Sequence, residues 1–268
     1  MSDRPRSEIW RWQSGTPPRR DTDELANEEP LEIRVDDRAV SITMRTPGHD
    51  TELAGGFLLS EGLVRGRADL RAVAPVQPEP SCNIVNVDVT PGACVDFARL
   101  TRHVFASSSC GLCGKATIEA VHQHFPPVTS DLVIDASVLL SLPSRGRAAQ
   151  AVFDRTGGLH AAALFDQRGE LVILREDVGR HNAVDKVLGY ALLNGLLPLN
   201  RHVLLVSGRS SFEIMQKALA GRIPIIAAIS APSTLAVRFA QESGQTLIGF
   251  LRGPRMNVYT MPQRIRFP

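Results

Sequence analysis

The runs His202-Val-Leu-Leu-Val-Ser207, Ile223-Pro-Ile-Ile-Ala-Ala-Ile229 and Thr246-Leu-Ile-Gly-Phe250 decide the fold class of this 268-residue chain. Each is short and almost wholly apolar, and residues 211–220 and 234–242 between them carry apolar residues at helical spacing. Continuous apolar strands separated by amphipathic helices predict a sheet covered on both faces. Upstream, Gly157-Gly158 leads into a strand, His160-Ala-Ala-Ala-Leu-Phe165. A turn at Asp166-Gln-Arg-Gly169 follows, then the returning strand Glu170-Leu-Val-Ile-Leu-Arg175. A helix over 182–194, stopped by Gly195, and helices over 116–125 and 135–142 supply the covering layers. The expectation is a three-layer α/β domain over 106–268.

A smaller α/β domain is expected over 27–105, opening at Asn27-Glu28-Glu29-Pro30. Leu31-Glu-Ile-Arg-Val35 and Ala39-Val-Ser-Ile-Thr-Met44 alternate apolar and polar residues around Asp36-Asp37-Arg38, the pattern of a β-hairpin. After a turn at Thr46-Pro47-Gly48-His49, residues 50–62 read as a helix with Asp50 as N-cap and Gly62 as its stop. Gly55-Gly56 inside that helix costs about 1 kcal/mol per glycine relative to alanine. Close approach of another backbone or a ligand is the usual reason for such a pair. Residues 75–81, rich in proline, form a loop, and Cys82-Asn-Ile-Val-Asn-Val-Asp-Val89 alternates as a further strand. Residues 1–26 mix charges with Trp10 and Trp12 without periodicity and are expected to be a mobile tail.

Ligands of such sheets bind where strand C-termini run into helix N-termini. Three polar loops fall there: Glu176-Asp-Val-Gly-Arg-His-Asn182, Ser207-Gly-Arg-Ser-Ser211 and Arg252-Gly253-Pro254-Arg255. Glycine admits a close ligand and arginine offers bidentate donors to phosphate, so Arg180, Arg209, Arg252 and Arg255 are candidates for one anion pocket. His160 reads as a strand histidine, His181 as a helix-start residue, and Asp185 and Lys186 as a solvated helix face.

Chemistry concentrates in Ser107-Ser108-Ser109-Cys110-Gly111-Leu112-Cys113-Gly114-Lys115. Small neighbours leave the sulfur reachable, and Lys115 and the start of the expected helix favour thiolate over thiol. A four-thiolate zinc site would need a second close-spaced pair, but Cys82 and Cys94 have eleven residues between them. His122 and His124, two apart on a helix, point in divergent directions. Thioredoxin-type motifs follow a strand at the opening of a βαβ unit, whereas serines precede this one. A structural disulfide is disfavoured because the N-terminus lacks the order of a secretory signal. The pair therefore reads as reactive sulfur, with no zinc expected.

A net charge of +2 gives no argument for nucleic acid, and no apolar run approaches the ~20 residues of a membrane span. The expected location is the cytoplasm.

Several ordered motifs together carry a family resemblance. They are Glu28-Glu-Pro-Leu31, Arg45-Thr-Pro-Gly48, Glu52-Leu-Ala-Gly-Gly-Phe-Leu-Leu-Ser-Glu-Gly62, Ser107-Ser-Ser-Cys-Gly-Leu-Cys-Gly114, Glu176-Asp-Val-Gly-Arg-His-Asn-Ala-Val-Asp-Lys186 and Ser207-Gly-Arg-Ser-Ser211. Over about residues 27–264 the chain resembles the FdhD family of formate dehydrogenase accessory sulfurtransferases. The resemblance implies a cytidine-deaminase-like fold for the second domain and a homodimer. It also implies sulfur received from a cysteine desulfurase and passed to the molybdenum cofactor of formate dehydrogenase, in its bis-molybdopterin guanine dinucleotide form. Carried over residue by residue, Cys110 is the persulfide cysteine and Cys113 the auxiliary thiol, releasing the sulfur as a disulfide partner or assisting its transfer. Phe250, Leu251, Arg252, Gly253, Pro254 and Arg255 match the cofactor-binding stretch. Assignment of Arg180 and Arg209 to the cofactor rests on strand-end placement.

Two other functions remain to be weighed. A zinc-dependent deaminase needs His-x-Glu and Pro-Cys-x-x-Cys at successive helix starts. This chain has Arg180-His-Asn-Ala183 and Gly208-Arg-Ser-Ser-Phe212 there, without the glutamate or the cysteines. A chaperone that binds the cofactor without carrying sulfur is the second.

Overall fold

The computed structural model describes residues 5–76, 83–93, 121–122 and 124–268. The expected helix over 116–125 therefore lies, except for its end, outside the described residues.

The chain opens with β1 (Arg6–Arg11) and β2 (Arg19–Glu24), an antiparallel hairpin where the sequence suggests an arm without regular structure. Cross-strand charge holds it: Arg11 meets Asp21 at 3.2 Å, and Arg20 lies over the Trp10 ring at 5.4 Å. Arg155 reaches Glu24 at 3.2 Å, tying the hairpin to the body.

β3 (Glu29–Val35) and β4 (Arg38–Arg45) form the expected hairpin. Asp36 and Asp37 both take positive φ, 45° and 63°, as a tight turn between right-twisted strands requires. The next helix, α1 (Asp50–Ser60), is capped by His49 in a left-handed conformation rather than by Asp50. Asp50 is drawn instead to Arg45, at 2.9 Å. Gly62 stops the helix at φ 73°. β5 (Leu70–Pro75) and β6 (Ile84–Val89) complete a four-stranded sheet of order β4-β3-β6-β5, with β3 and β6 parallel.

A short strand β7 (Ile134–Asp135) leads into α2 (Ala136–Ala148), which runs past the expected end at 142 and contains Pro143. α3 (Phe153–Thr156) is a single turn. Then come β8 (His160–Phe165), β9 (Leu171–Asp177), α4 (Arg180–Leu193), β10 (Val203–Val206) and α5 (Phe212–Ala220). The chain closes with β11 (Ile225–Ala228), α6 (Thr234–Glu242), β12 (Thr246–Arg252), β13 (Arg255–Val258) and β14 (Ile265–Arg266), which pairs with β7. The main sheet has order β13-β12-β11-β10-β8-β9, with β10, β11 and β12 parallel and β8 antiparallel to both its neighbours.

Alternate strand residues feed two cores, as the pleat demands. Leu204, Val206, Ile226 and Leu247 join α4, α5 and α6, while Val203, Leu205, Ile225 and Ile248 join Leu139 and Leu142 of α2. The result is the expected three-layer α/β arrangement. The first core also takes in Leu31, Ile33, Val35, Leu53 and Leu58, so the N-terminal sheet and α1 share it.

The junction is the crossing of α1 and α4. A Cβ on Gly56 would stand 1.8 Å from the carbonyl oxygen of Asp185, and one on Gly189 would stand 1.7 Å from that of Glu52. These two glycines bring the helix backbones together, as the Gly55-Gly56 pair suggests. No helix among the described residues is long and apolar enough to cross a membrane.

Candidate functional site

Strands β9, β10, β11 and β12 all end at the edge of the sheet where β8 begins. This gathers the 177–181, 207–211 and 229–233 loops with His160. Cross-loop bonds fix them: Ser210 donates its N–H to Ala231, Ser233 to Ser210, and Phe250 to Ser230, at 3.3, 3.0 and 3.1 Å.

Asp177 organises the first loop. Wholly buried, its carboxylate accepts from the N–H groups of Thr46 and Gly179 at 3.1 and 2.8 Å, from Asn182 Nδ2 at 3.1 Å and from Lys186 Nζ at 2.7 Å. Lys186 also donates to the carbonyl of Thr46 at 2.8 Å, and Asn182 to that of Met44 at 2.8 Å. The carboxylate accepts four bonds and the ammonium donates two, which offsets the desolvation of two buried charges. Lys186 is thus a buried staple between the Arg45-Thr-Pro-Gly48 turn and α4, not the solvated residue its charge suggests.

Asp185 is likewise buried. Its carboxylate takes two bonds from Lys217 Nζ, at 2.9 and 2.8 Å, and one from Ser60 Oγ at 2.8 Å. Burial alone would lower the Lys217 pKa, but the carboxylates of Asp185, Glu61 and Glu213 together outweigh it, raise the pKa and hold the ammonium charged.

Arg180 opens α4 with different surroundings. Its Nε is buried without a hydrogen-bond partner. Gly208 faces it: a Cβ there would lie 3.5 Å from Arg180 Cδ and 3.4 Å from His160 Nδ1. Ser210, fully buried in the same loop, also has a hydroxyl without a partner. His160 is held below its ordinary pKa by burial and by the Arg180 charge. Burial, then Lys217 and Arg180, push His181 down to about 4. Both imidazoles are therefore neutral at pH 7, and the charges facing this corner are Arg180, Asp177, Lys217 and the Glu213 carboxylate.

His181 Nε2 lies 3.3 Å from Ser211 Oγ, and Glu213, in the first turn of α5, is held below its ordinary pKa despite its burial, with Ser211 contributing.

On the α2 side of the same edge opens a cavity of about 680 Å³. Its walls are apolar, from Pro143, Leu174, Leu205 and Leu251, and His160, Ser207 and Arg252 give it a polar rim. The 250–255 stretch does not follow the last strand, as the sequence suggests; it is the tip of the β12–β13 hairpin. Leu251 is buried beneath it, and Phe250 is half-exposed at φ 51°. Arg252 donates to the carbonyl of Ile229 at 2.7 Å and sits over the Phe250 ring at 5.8 Å. Gly253 turns the chain at φ 52°, and Pro254 and Arg255 are exposed.

The structure thus places Arg180 with His160 around Gly208 and Arg252 with His160 on the cavity lining, while Arg209, Arg252 and Arg255 are exposed. Cys110, Cys113 and Lys115, with Cys82 and Cys94, lie outside the described residues. His122 is already engaged, 2.9 Å from Ser243 Oγ and stacked on Phe239. Among the described residues no group of three or more His, Cys, Asp and Glu side chains is placed to hold a metal ion. Sequence reasoning missed Asp177, Ser210 and the Gly208 gap, whose only signal was the dense polar spacing of 176–186 and 207–211.

Comparison with known proteins gives a consistent result. The family model described as FdhD/NarQ family matches residues 26–266. The sulfur carrier protein FdhD of Streptomyces avermitilis is 54% identical over 255 residues, covering 91% of this chain and 89% of that one. Its namesake in Mycobacterium tuberculosis is 50% identical over 251 residues, with 90% and 91% covered. The archaeal one of Sulfolobus acidocaldarius is 44% identical over 243 residues, with 91% of each covered. A crystal structure of a candidate formate dehydrogenase accessory protein from Desulfotalea psychrophila superposes with a TM-score of 0.79 at 26% identity, covering 98% of this chain and 99% of that one. The motifs, the three-layer fold and these likenesses agree, and the chain belongs to the FdhD/NarQ family.

Proposed function

We propose that this protein is a sulfur carrier serving formate dehydrogenase, and that Cys110 is the residue that carries the sulfur. The observation that supports it is the pairing of Cys110-Gly-Leu-Cys113 with 54% identity to a protein named a sulfur carrier. The donor is a cysteine desulfurase. The Cys110 thiolate attacks the outer sulfur of the desulfurase persulfide, the sulfur–sulfur bond breaks, and the desulfurase thiolate leaves, with no net change of oxidation state.

The acceptor is the molybdenum cofactor, bound as substrate in its bis-molybdopterin guanine dinucleotide form. Cys113 attacks Cys110, forming a disulfide and expelling the outer sulfur as sulfide. The two thiols supply the two electrons that reduce this sulfur, the metal takes it in place of an oxo ligand, and the oxygen leaves as water with both protons. The disulfide is then reduced by cellular thiols. Residues 250–255 hold the cofactor, with Arg180 and Arg209 at the neighbouring strand ends; the partnerless Arg180 Nε fits a phosphate-bearing ligand. The protein acts in the cytoplasm as a homodimer.

In cells lacking their own copy, wild type and Cys113→Ala are compared with Cys110→Ala. Cys110→Ala abolishes formate dehydrogenase activity; full activity in that variant would contradict the proposal. A second reading, a cofactor chaperone that carries no sulfur, draws on the same Arg180 corner and is separated from the first by whether Cys110 loads with sulfur.

A further inference from the structure

The segment between α2 and β8 forms one wall of the cavity and has no core of its own. Phe153, Gly157 and Gly158 line the cavity, yet no residue from 151 to 158 is buried. Charge holds the segment instead. The Glu176 carboxylate accepts the N–H groups of Val152 and Phe153 at 3.0 and 2.7 Å. Arg147 of α2 pairs with Asp154 and lies over the Phe153 ring at 4.8 Å, and Arg155 meets Glu24 at 3.2 Å. Glu176 and Asp177 are consecutive on β9 and point to opposite faces, so one strand end pins both this wall and the α4 loop.

A segment with so few apolar contacts sits at the low end of local stability. Its far end carries a hinge: Gly157 has φ 64° with nothing within 4 Å of its Cβ position, and Gly158 follows it. Glycine absorbs the backbone change of a swing at little steric cost. The N-terminal hairpin reaches the segment twice. Glu24 of β2 takes Arg155, and the Cβ of Ala26 lies 3.1 Å from where a Gly158 Cβ would stand. β1 and β2 themselves precede residues 26–266, the stretch that the family model matches.

We propose that residues 153–158 are a hinged wall of the cavity, anchored at Glu176 and latched by Glu24 of the N-terminal hairpin, and that release of the latch admits the cavity's occupant. The latch is independent of sulfur transfer and of what the cavity holds.

Hydrogen–deuterium exchange of the full chain, read by mass spectrometry, tests it. Glu24→Gln and Arg155→Gln each speed exchange over residues 153–159 about two- to fivefold, the worth of one partly exposed ion pair, and the double variant goes no further than either single one. Exchange over β10 and β11 stays at the wild-type rate. Arg266→Gln, which breaks another exposed pair, with Asp135 at 3.0 Å, leaves residues 153–159 unchanged. Opening is read independently from Ala161→Cys, on the cavity wall, as the rate of its labelling by N-ethylmaleimide at peptide resolution. Adding Glu24→Gln speeds that labelling by the same factor. Unchanged exchange over residues 153–159 in both single variants, a rise shared equally by β10 and β11, or equal labelling with and without Glu24→Gln overturns the proposal.

Discussion

Lys186 Nζ and Asp177 lie 2.7 Å apart, the lysine 1% and the aspartate 0% exposed, and together they join the turn after β4 to the start of α4. Removing either partner strands the other as an uncompensated buried charge. Asp177→Leu or Lys186→Met therefore lowers unfolding free energy by about 3–5 kcal/mol, and the double variant by much less than the sum. Urea unfolding of the four proteins measures this.

The crossing of α1 and α4 depends on two absent side chains. Gly56→Ala and Gly189→Ala each place a methyl inside a facing backbone carbonyl, 1.8 and 1.7 Å away, and the helices must separate. Each costs at least about 2–3 kcal/mol, the upper range for overpacking. Gly66→Ala, with nothing within 4 Å of its Cβ, stays within about 0.5 kcal/mol of wild type. Thermal unfolding of the three variants checks the contrast.

Acid sensitivity follows from the histidine beside Lys217. Folded His181 titrates near 4 against an ordinary 6.5. Between those values the unfolded chain holds the extra proton, so stability falls as pH drops through that window, by at most about 1.4 kcal/mol per unit from this residue. His49, His160 and His202 are also lowered and act in the same direction. His181→Gln flattens the slope between pH 6.5 and 4.5; an unchanged slope would assign the effect to the other three.

Phe250 has a left-handed backbone at φ 51° and an exposed ring at the hairpin tip. Such strain in a bulky residue marks a position retained for a contact rather than for stability. On the cofactor-holding role proposed above, Phe250→Gly raises unfolding free energy by about 0.5–1 kcal/mol while weakening cofactor binding. Paired denaturation and binding measurements show whether the two move in opposite directions.

The parts of the fold legible in the sequence were those where one residue type suffices. Leu204, Ile226 and Leu247 read as strand because both sheet faces are buried, and Gly55-Gly56 read as a close approach because a helix has little other use for the pair. β1 and β2 were missed because charge pairs such as Arg11–Asp21, rather than an apolar alternation, hold them together. β13 is a four-residue polar edge strand, recognisable only once β12 lies beside it. Lys186 and Asp185 read as solvated because charge usually is, and their partners Asp177 and Lys217 are brought close only by α4 and α5. The Gly208 gap and the free Arg180 Nε exist only between loops from different strands, which no local pattern records.

The most direct test of the sulfur-carrier account is the intact mass of the protein after incubation with a cysteine desulfurase and cysteine, before and after reductant. Wild type, Cys110→Ala and Cys113→Ala are measured side by side. A reductant-sensitive gain of about 32 Da, one sulfur atom, present in wild type and Cys113→Ala and absent in Cys110→Ala, is the predicted result. No gain in wild type, or an equal gain in Cys110→Ala, would contradict the account.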